Sequence, residues 1–211
     1  MDILMPSILL GFGAVAASFY RLLGRKKALR AAAEELGLRP EEGQLPLGLQ
    51  DFALIKHGGS LKASNIAWSE KRDFVVFDYS YTVQAGKVIS AVAQTVGAFH
   101  CPGRGMPGFS ARPEGLSDKV AAAMFGGQDI DFDSSPEFSK AYRVQGEDEA
   151  AIRDFFSVGG TQYLAARPGW VVEAKGDWLI AYRPGKWVLG AAALKEFVWD
   201  AQGLYGALLG L

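Results

Sequence analysis

The hydrophobic positions at the start of the chain form one uninterrupted apolar run. Residues 3–20 carry no charged side chain. A helix rises 1.5 Å per residue, so this run would extend over about 27 Å, close to the hydrocarbon thickness of a bilayer. The pattern therefore predicts a transmembrane anchor, which we assign to residues 1–24.

The charges that flank the run predict its orientation. Asp2 precedes the run, and five basic residues follow it: Arg21, Arg25, Lys26, Lys27 and Arg30. Positive flanks stay on the cytoplasmic side of a membrane. We therefore expect a single-pass protein of the inner (cytoplasmic) membrane, with its N-terminus outside and its domain in the cytoplasm. The same five residues, named here the basic collar, are candidate ligands for anionic lipid headgroups.

A cleaved secretory signal peptide is the alternative interpretation of this run. Ala14, Val15 and Ala16 resemble a cleavage site. A signal peptide, however, carries its positive charge before the apolar stretch, whereas here the charge follows it. The order of charge and apolar residues therefore favours an anchor that stays in the protein.

Small residues recur on one side of the predicted anchor. Ser7, Gly11, Ala14 and Ser18 follow one another at intervals of four, three and four residues. Small residues allow membrane helices to approach closely, and this packing drives helix association in lipid. Such residues are also common in any membrane helix, so the stripe has an ordinary explanation as well. If it is an interface, the chain has other integral membrane subunits as partners.

Beyond the anchor the pattern predicts a juxtamembrane helix and linker over residues 25–48, followed by an α+β domain over 49–211. Helical spacing covers residues 22–36, 117–124, 147–158 and 189–209, and Ser135 with Pro136 is a typical helix start. Strand patterns cover residues 52–56, 65–69, 74–82, 88–101, 108–113 and 141–145, and a hairpin joins 170–174 to 178–182. We expect the last helix to pack on the core, because charged residues interrupt it.

The fold class is therefore α+β, a mixed domain of antiparallel strands and helices, in one sheet or two. A charged turn that leads into an aromatic strand occurs twice, at residues 71–76 and 175–180. This recurrence leaves open that the domain contains two related halves, although such turns are common.

Charge and composition limit the classes of partner and the compartment that we expect for this chain. Five basic residues and one acidic residue in the first 30 positions give +4, and the total of −1 leaves −5 for residues 31–211. A mildly acidic domain argues against a nucleic acid partner. Cys101 is the single cysteine, so the chain has no internal disulfide and suits a reducing compartment.

An acidic run is the first candidate for chemistry. Asp129, Asp131 and Asp133 alternate along the chain and imitate the opening of a calcium loop. The match fails where it matters, because Ser134 replaces the turn glycine and Lys140 replaces the bidentate glutamate. We assign no metal here and expect a solvated connection into a helix.

His100 and Cys101 are the second candidate. Neighbours in a strand point to opposite faces, so these side chains cannot act on one another as base and nucleophile. His57 is the only other histidine. The chain contains no haem, iron–sulfur or dinucleotide motif. We therefore expect no catalytic residue, metal or cofactor, and the sequence identifies no cofactor-binding residues.

Several short segments between residues 65 and 142 form a pattern of their own: Asn65, Phe77-Asp78-Tyr79, Tyr81, Gln94-Thr95-Val96, Asp131-Phe132-Asp133, Phe138-Ser139 and Tyr142. These segments resemble an uncharacterised bacterial family in which an N-terminal membrane segment precedes a cytoplasmic α+β domain with no known activity. The resemblance implies the architecture and implies nothing about catalysis.

Two functions remain. The first is a membrane-anchored accessory or scaffold subunit of a larger bacterial membrane complex, with a bioenergetic complex as one option, and without catalysis of its own. Its partners would be membrane lipids and integral membrane subunits. The alternative is a tethered cytoplasmic ligand-binding or enzymatic domain of unknown substrate, with a pocket near Asp129, Asp131 and the loop 101–108.

Overall fold

The computed structural model of the chain describes residues 23–56, 62–85, 88–115, 129–156 and 158–211. Three predicted features fall outside these ranges: His57, the helix expected at 117–124 and residues 1–22 of the predicted anchor. Of the helices within the described ranges, none combines the length and the apolar character that a membrane crossing requires.

Eight strands form one antiparallel sheet in this part of the chain, in the order β1-β2-β3-β4-β8-β7-β5-β6. The described strands thus form one sheet rather than two, and the α+β class is confirmed. The strands are β1 (Arg39–Glu41), β2 (Lys62–Trp68), β3 (Phe74–Ala85), β4 (Val88–His100), β5 (Met106–Pro113), β6 (Tyr142–Gly146), β7 (Val171–Gly176) and β8 (Trp178–Tyr182).

Helices cover both faces of the sheet. They are α1 (23–35), a 3₁₀ helix (Leu47–Asp51), α2 (Ala53–Lys56), α3 (Pro136–Ala141), α4 (Glu149–Phe155), α5 (Val158–Ala166) and α6 (Ala191–Leu209). The face that packs against α1 and α3 to α6 is named the large face. The opposite face, under the 3₁₀ helix and α2, is named the small face.

Strand β3 shows how the alternation of side chains builds both cores. Phe74 and Val76 point to the large face, whereas Val75, Phe77 and Tyr79 point to the small face. All five are buried. A central strand buried on both sides needs apolar residues at nearly every position, which explains the dense aromatic and branched sequence of this strand.

Helix α6 closes the large face, as expected from its stripe of apolar residues. Phe197, Ala201, Leu204 and Leu208 are buried in the core. Gly97 on β4 allows the close approach, because a Cβ at that position would lie 3.4 Å from the Cβ of Ala201 and 3.3 Å from the ring of Phe74. The last helix is therefore a core element.

The strand predicted at residues 52–56 is wrong, because Phe52 is the C-cap of the 3₁₀ helix and the next four residues form α2. A short apolar run does not distinguish a strand from a buried helical turn. Here a tertiary contact decides the outcome. The buried carboxylate of Glu173 on β7 accepts a hydrogen bond from the backbone N–H of Ala53 over 2.8 Å, which fixes the start of α2.

The single helix predicted at 147–158 is also wrong in extent. Helix α4 ends at Phe155, and the sequence analysis missed α5, which follows at Val158. Two glycines, Gly159 and Gly160, make α5 a poor helix on propensity. A Cβ at Gly160 would lie 2.9 Å from Leu208 on α6, so the glycine is required by helix packing.

Ser135 precedes α3 as expected, but its side chain does not cap the helix. The Ser135 hydroxyl instead lies 2.8 Å from the hydroxyl of Thr161 on α5. The residue therefore joins two helices rather than only starting one.

Replacement of a buried residue on α6 tests the packing of the large face. Leu204→Ala should lower the free energy of unfolding by about 2–5 kcal/mol, because Leu204 is fully buried and a cavity would remain. Trp199→Ala on the same helix is the control, since Trp199 is 63% exposed and should change the value by less than about 0.5 kcal/mol. Chemical denaturation of both variants measures the difference. Equal costs would contradict the packing described here.

Buried tyrosines predict a loss of stability in alkali. Burial raises the pKa of Tyr79 to about 12, with a smaller contribution from Tyr81, and burial raises the pKa of Tyr142 to about 12. The folded state thus keeps both phenols neutral at a pH where the unfolded chain ionises them. Stability should fall as the pH rises from 10 towards 12, and Tyr79→Phe should reduce that fall. Denaturant titrations across this range measure it, and a variant with the wild-type slope would contradict the assignment.

Candidate functional site

A charged residue lies within β3, a strand that is dense in aromatic and branched residues. Asp78 on β3 follows Phe74 and Val76 on the large face and is 5% exposed. Thr95 on β4 is its direct cross-strand partner and is also buried. A buried carboxylate is costly unless hydrogen bonds and a countercharge compensate it. The groups that compensate the charge of Asp78 therefore indicate its role.

Three side chains from three elements converge on this carboxylate. Arg25 of α1 donates through Nη1 to Oδ2 of Asp78 over 2.8 Å, and Asn65 of β2 donates through Nδ2 to the same oxygen over 2.7 Å. Thr95 donates through its hydroxyl to Oδ1 over 2.8 Å. The side chains of Arg25 and Asp78 are only 8% and 7% exposed. These four residues are named the Asp78 cluster.

Asn65 reaches Asp78 because β2 contains a bulge. Ser64 pairs with Asp78 and Ala67 with Val76, so Asn65 and Ile66 together oppose one residue of β3. Asn65 has a φ of +50°, a left-handed conformation in which asparagine is much more common than most residues. Bulges redirect side chains near functional sites, and this one turns the carboxamide towards the cluster.

Arg25 also binds the segment 183–190, which is named the closing loop. Its Nε donates to the carbonyl oxygen of Val188 over 2.8 Å, and its Nη2 donates to the same oxygen. Its guanidinium lies 3.8 Å from the ring centroid of Trp187, a cation–π contact. The arginine therefore contacts both the sheet and the closing loop.

The closing loop has further bonds to β4. The hydroxyl of Thr95 accepts from the N–H of Val188 over 3.1 Å, and the N–H of Thr95 donates to the carbonyl of Lys186 over 3.0 Å. The side-chain oxygen of Gln94 accepts from the N–H of Gly185 over 3.0 Å. Together with Arg25, these bonds hold the loop in one position beside the Asp78 cluster.

A cavity of about 740 Å³ lies beside the cluster, between α1, strands β1 to β3, the closing loop and α6. This volume falls within the range of small-molecule sites. Its apolar wall includes Leu29, Ala33, Ile66, Val76 and Leu194. Its charged wall consists of Arg25, Lys26, Arg30, Lys62, Glu41, Glu42 and Asp78.

Trp187 contributes a polar atom to this region. The residue lines the cavity, and its indole Nε1 is buried without a hydrogen-bond acceptor in the part of the chain that the structure describes. A buried donor left unpaired costs about 1–3 kcal/mol. The donor is thus unsatisfied in a residue that lines this cavity.

The structure separates the members of the basic collar. Arg25 points into the Asp78 cluster, and its donors bond to protein atoms. Lys26, Lys27 and Arg30 are exposed on α1. Arg21 and the small-residue stripe, Ser7, Gly11, Ala14 and Ser18, lie outside the described residues. The headgroup role of the exposed residues stays a prediction, as does the helix-packing role of the stripe.

The acidic run joins the core through the residues between its aspartates. Ile130 and Phe132 are 3% and 5% exposed. Asp129 accepts a hydrogen bond from the N–H of Val144 over 2.9 Å and lies 3.5 Å from Arg143. In the described ranges, no three His, Cys, Asp or Glu side chains are grouped as a metal site would need. The pocket expected beside this run and the loop 101–108 is not where the cavity lies.

His100 and Cys101 point to opposite faces of the sheet, as predicted. His100 stacks on Trp178 with 4.4 Å between ring centroids, at the small face. The Cys101 sulfur lies 3.0 Å from the hydroxyl of Tyr205 on α6, at the large face. Burial and the hydrogen bond to Cys101 raise the pKa of Tyr205 well above its ordinary value. The two neighbours therefore act in separate environments.

The sequence analysis missed the Asp78 cluster, although a signal for it was present. Asp78 is the one charge within a run of apolar and aromatic residues from 74 to 83. A charge at a buried position of a central strand requires a partner, and Arg25 in the nearby basic collar could have been considered. The resemblance included Asn65, Asp78 and Thr95 but gave them no role. Comparison with protein families, with curated proteins and with solved structures finds no match to this chain.

Removal of one partner tests the Asp78 cluster. Arg25→Leu should lower the free energy of unfolding by about 3–5 kcal/mol, because it leaves a buried carboxylate without its countercharge. Arg30→Leu is the control, since the exposed pair of Arg30 with Glu34 contributes less than about 1 kcal/mol.

The double variant Arg25→Leu with Asp78→Leu should cost clearly less than the sum of its two single variants, because they share one interaction. Denaturant titrations of the four proteins measure these values. Additive costs would contradict the coupling of the two residues.

Proposed function

We propose that this chain is a membrane-anchored accessory or scaffold subunit of a larger bacterial membrane complex, without catalysis of its own. Residues 1–24 are its single transmembrane segment, and residues 49–211 form a domain at the cytoplasmic surface. The supporting observation is the attachment of α1. The described part of this helix starts three residues after the apolar run and is bonded to the sheet through Arg25 and Asp78.

This attachment matters because it limits the motion of the domain relative to the bilayer. A flexible linker after the anchor would let a domain explore a wide volume. Here Leu29, Ala32 and Ala33 of α1 are buried in the core of the large face. The domain is thus held close to whatever holds residues 3–20, which suits a subunit that covers one face of a membrane complex.

The exposed members of the basic collar fit the same placement. Lys26, Lys27 and Arg30 follow the apolar run within ten residues, where anionic headgroups would meet them. Each such residue near the surface adds about 1 kcal/mol of attraction. The small residues Ser7, Gly11, Ala14 and Ser18 would face the partner helix.

A tethered ligand-binding domain is the second candidate, and the cavity beside the Asp78 cluster favours it. Its apolar wall with a few convergent polar groups is typical of a binding site. The two functions are compatible, since a subunit can also hold a ligand. The idea of two related halves stays a proposal. Strands β1 to β4 form a meander, whereas the other four strands have the order β8-β7-β5-β6, so the two blocks differ in strand order.

Gentle extraction of the full chain from its native membrane tests the subunit proposal. Native sizing should show the chain in an assembly larger than a monomer. Ala14→Leu should weaken that assembly roughly ten-fold, because a larger side chain at a close helix contact costs about 1–3 kcal/mol. Ala16→Leu is the control, since it makes the same replacement on the opposite side of the predicted helix. A monomeric wild-type chain would contradict the proposal.

Sidedness is tested separately by protease accessibility. The domain should be cut in inside-out vesicles and protected in intact cells stripped of their outer barrier. The opposite pattern, or a mature chain that begins near residue 17, would overturn the proposed anchor.

A further inference from the structure

The cavity beside the Asp78 cluster has a division of chemistry that the subunit proposal does not use. One part of its wall is apolar, formed by Leu29 and Ala33 of α1, Ile66 of β2, Val76 of β3 and Leu194 of α6. Another part carries charges of both signs on α1 and just after β1. A wall of this kind fits a ligand with a hydrocarbon portion and a charged portion.

The charges deep in the cavity already neutralise one another. Arg25 and Asp78 form a buried ion pair, and Asn65 and Thr95 complete the hydrogen bonds of the carboxylate. A ligand charge placed there would have to break that pair. The charged portion of a ligand therefore belongs elsewhere on the wall.

The charges near α1 and β1 include one pair of opposite sign that faces across the wall, Lys26 and Glu42. Lys26 and Arg30 are one helical turn apart, so they share one side of α1. Glu41 and Glu42 lie opposite, and Lys26 Nζ is 3.4 Å from Glu42 Oε1. Arg72 engages Glu41 from outside the cavity, Glu34 engages Arg30, and Lys62 is a further cation of the wall.

These exposed pairs are weak enough for a ligand to replace them. The side chains of Lys26 and Glu42 are 58% and 88% exposed. Exposed ion pairs contribute about 0–1 kcal/mol. A headgroup that carries both a phosphate and an ammonium could satisfy both sides, with the phosphate on Lys26 and Arg30 and the ammonium on Glu42.

We propose that this cavity binds one phospholipid with a zwitterionic, ethanolamine-type headgroup. One acyl chain lies along the apolar wall, and the headgroup lies between Lys26, Arg30 and Glu42. A volume of about 740 Å³ suits one chain, so the second chain of a diacyl lipid stays outside. Trp187 also lines the cavity, and its ring lies against the guanidinium of Arg25.

The identity of this ligand rests on the proposed anchor. Lys26 follows the end of the apolar run by six residues, about 9 Å along a helix. If residues 3–20 lie in lipid, the mouth beside Lys26 faces the headgroup layer. A membrane phospholipid is then the amphiphile at the highest local concentration.

The test uses the full chain in amphipol and the single-chain probe lysophosphatidylethanolamine. Native mass spectrometry should show one bound lipid per chain. Phosphoethanolamine alone, a monoacylglycerol and lysophosphatidylglycerol should each bind at least about five-fold more weakly, since each lacks the chain, the charges or the ammonium. If phosphoethanolamine alone bound as tightly as lysophosphatidylethanolamine, the lipid assignment would be overturned. If the monoacylglycerol or lysophosphatidylglycerol bound as tightly, the headgroup assignment would be overturned.

Two neighbouring lysines provide the matched variants. Lys26 lines the cavity, whereas Lys27 is exposed on α1 and does not. Lys26→Glu should weaken binding roughly ten-fold, and Lys27→Glu should change it less than about two-fold. Equal weakening by both would indicate general attraction to lipid charge and overturn the site.

A second variant addresses the apolar wall. Ala33→Leu should reduce affinity by occupying the space of the chain, with its unfolding temperature measured alongside. Retained folding with unchanged affinity would overturn the placement of the chain. These measurements need neither a partner complex nor a particular sidedness, so their failure is distinguishable from failure of the subunit proposal.

Discussion

The buried charge of Asp78 joins a helix and three strands of this domain at one point. The carboxylate of Asp78 lies on the large face among aromatic and aliphatic side chains, and only 5% of the residue is exposed to water. It is tolerable there only because Arg25, Asn65 and Thr95 supply a countercharge and three hydrogen bonds. The requirement fixes α1, the bulge of β2 and the register of β3 on β4 at one point.

The same interaction explains why α1 is part of the domain rather than part of a linker. The helix buries only small and aliphatic residues, and this surface alone gives little directional specificity. The Arg25–Asp78 pair has one geometry and supplies that specificity. Its guanidinium also contacts the closing loop, so the position of the helix and that of the loop depend on each other.

The sequence carried enough information for most of the elements. Local patterns predicted β3 and β4 from their alternation, β8 from the turn before it and α6 from its apolar stripe. The structure has each of these elements at the predicted place. The segment 52–56 and helix α5 differ because tertiary contacts decide them. Glu173, more than a hundred residues away, starts α2, and the close approach of Leu208 requires the glycine that weakens α5.

The candidate site was harder to predict, for a related reason. Its members come from α1, β2, β3, β4 and the closing loop, and none of them forms a motif of fixed spacing. Arg25 was interpreted as a lipid ligand because it stands in a run of basic residues, and no sequence pattern tells which member of such a run turns inward. The cavity likewise depends on how α1 crosses the sheet, which spacing alone does not encode.

The double contact of Arg25 also has a mechanical consequence. Force applied to the start of α1 passes through one guanidinium to the centre of the sheet at Asp78 and to the backbone at Val188, which leads directly into α6. Of the described helices that cover the large face, the two longest are therefore connected in series with the point where the chain would leave the bilayer. A tilt of that entry point would load both helices together, rather than bend a hinge between membrane and domain.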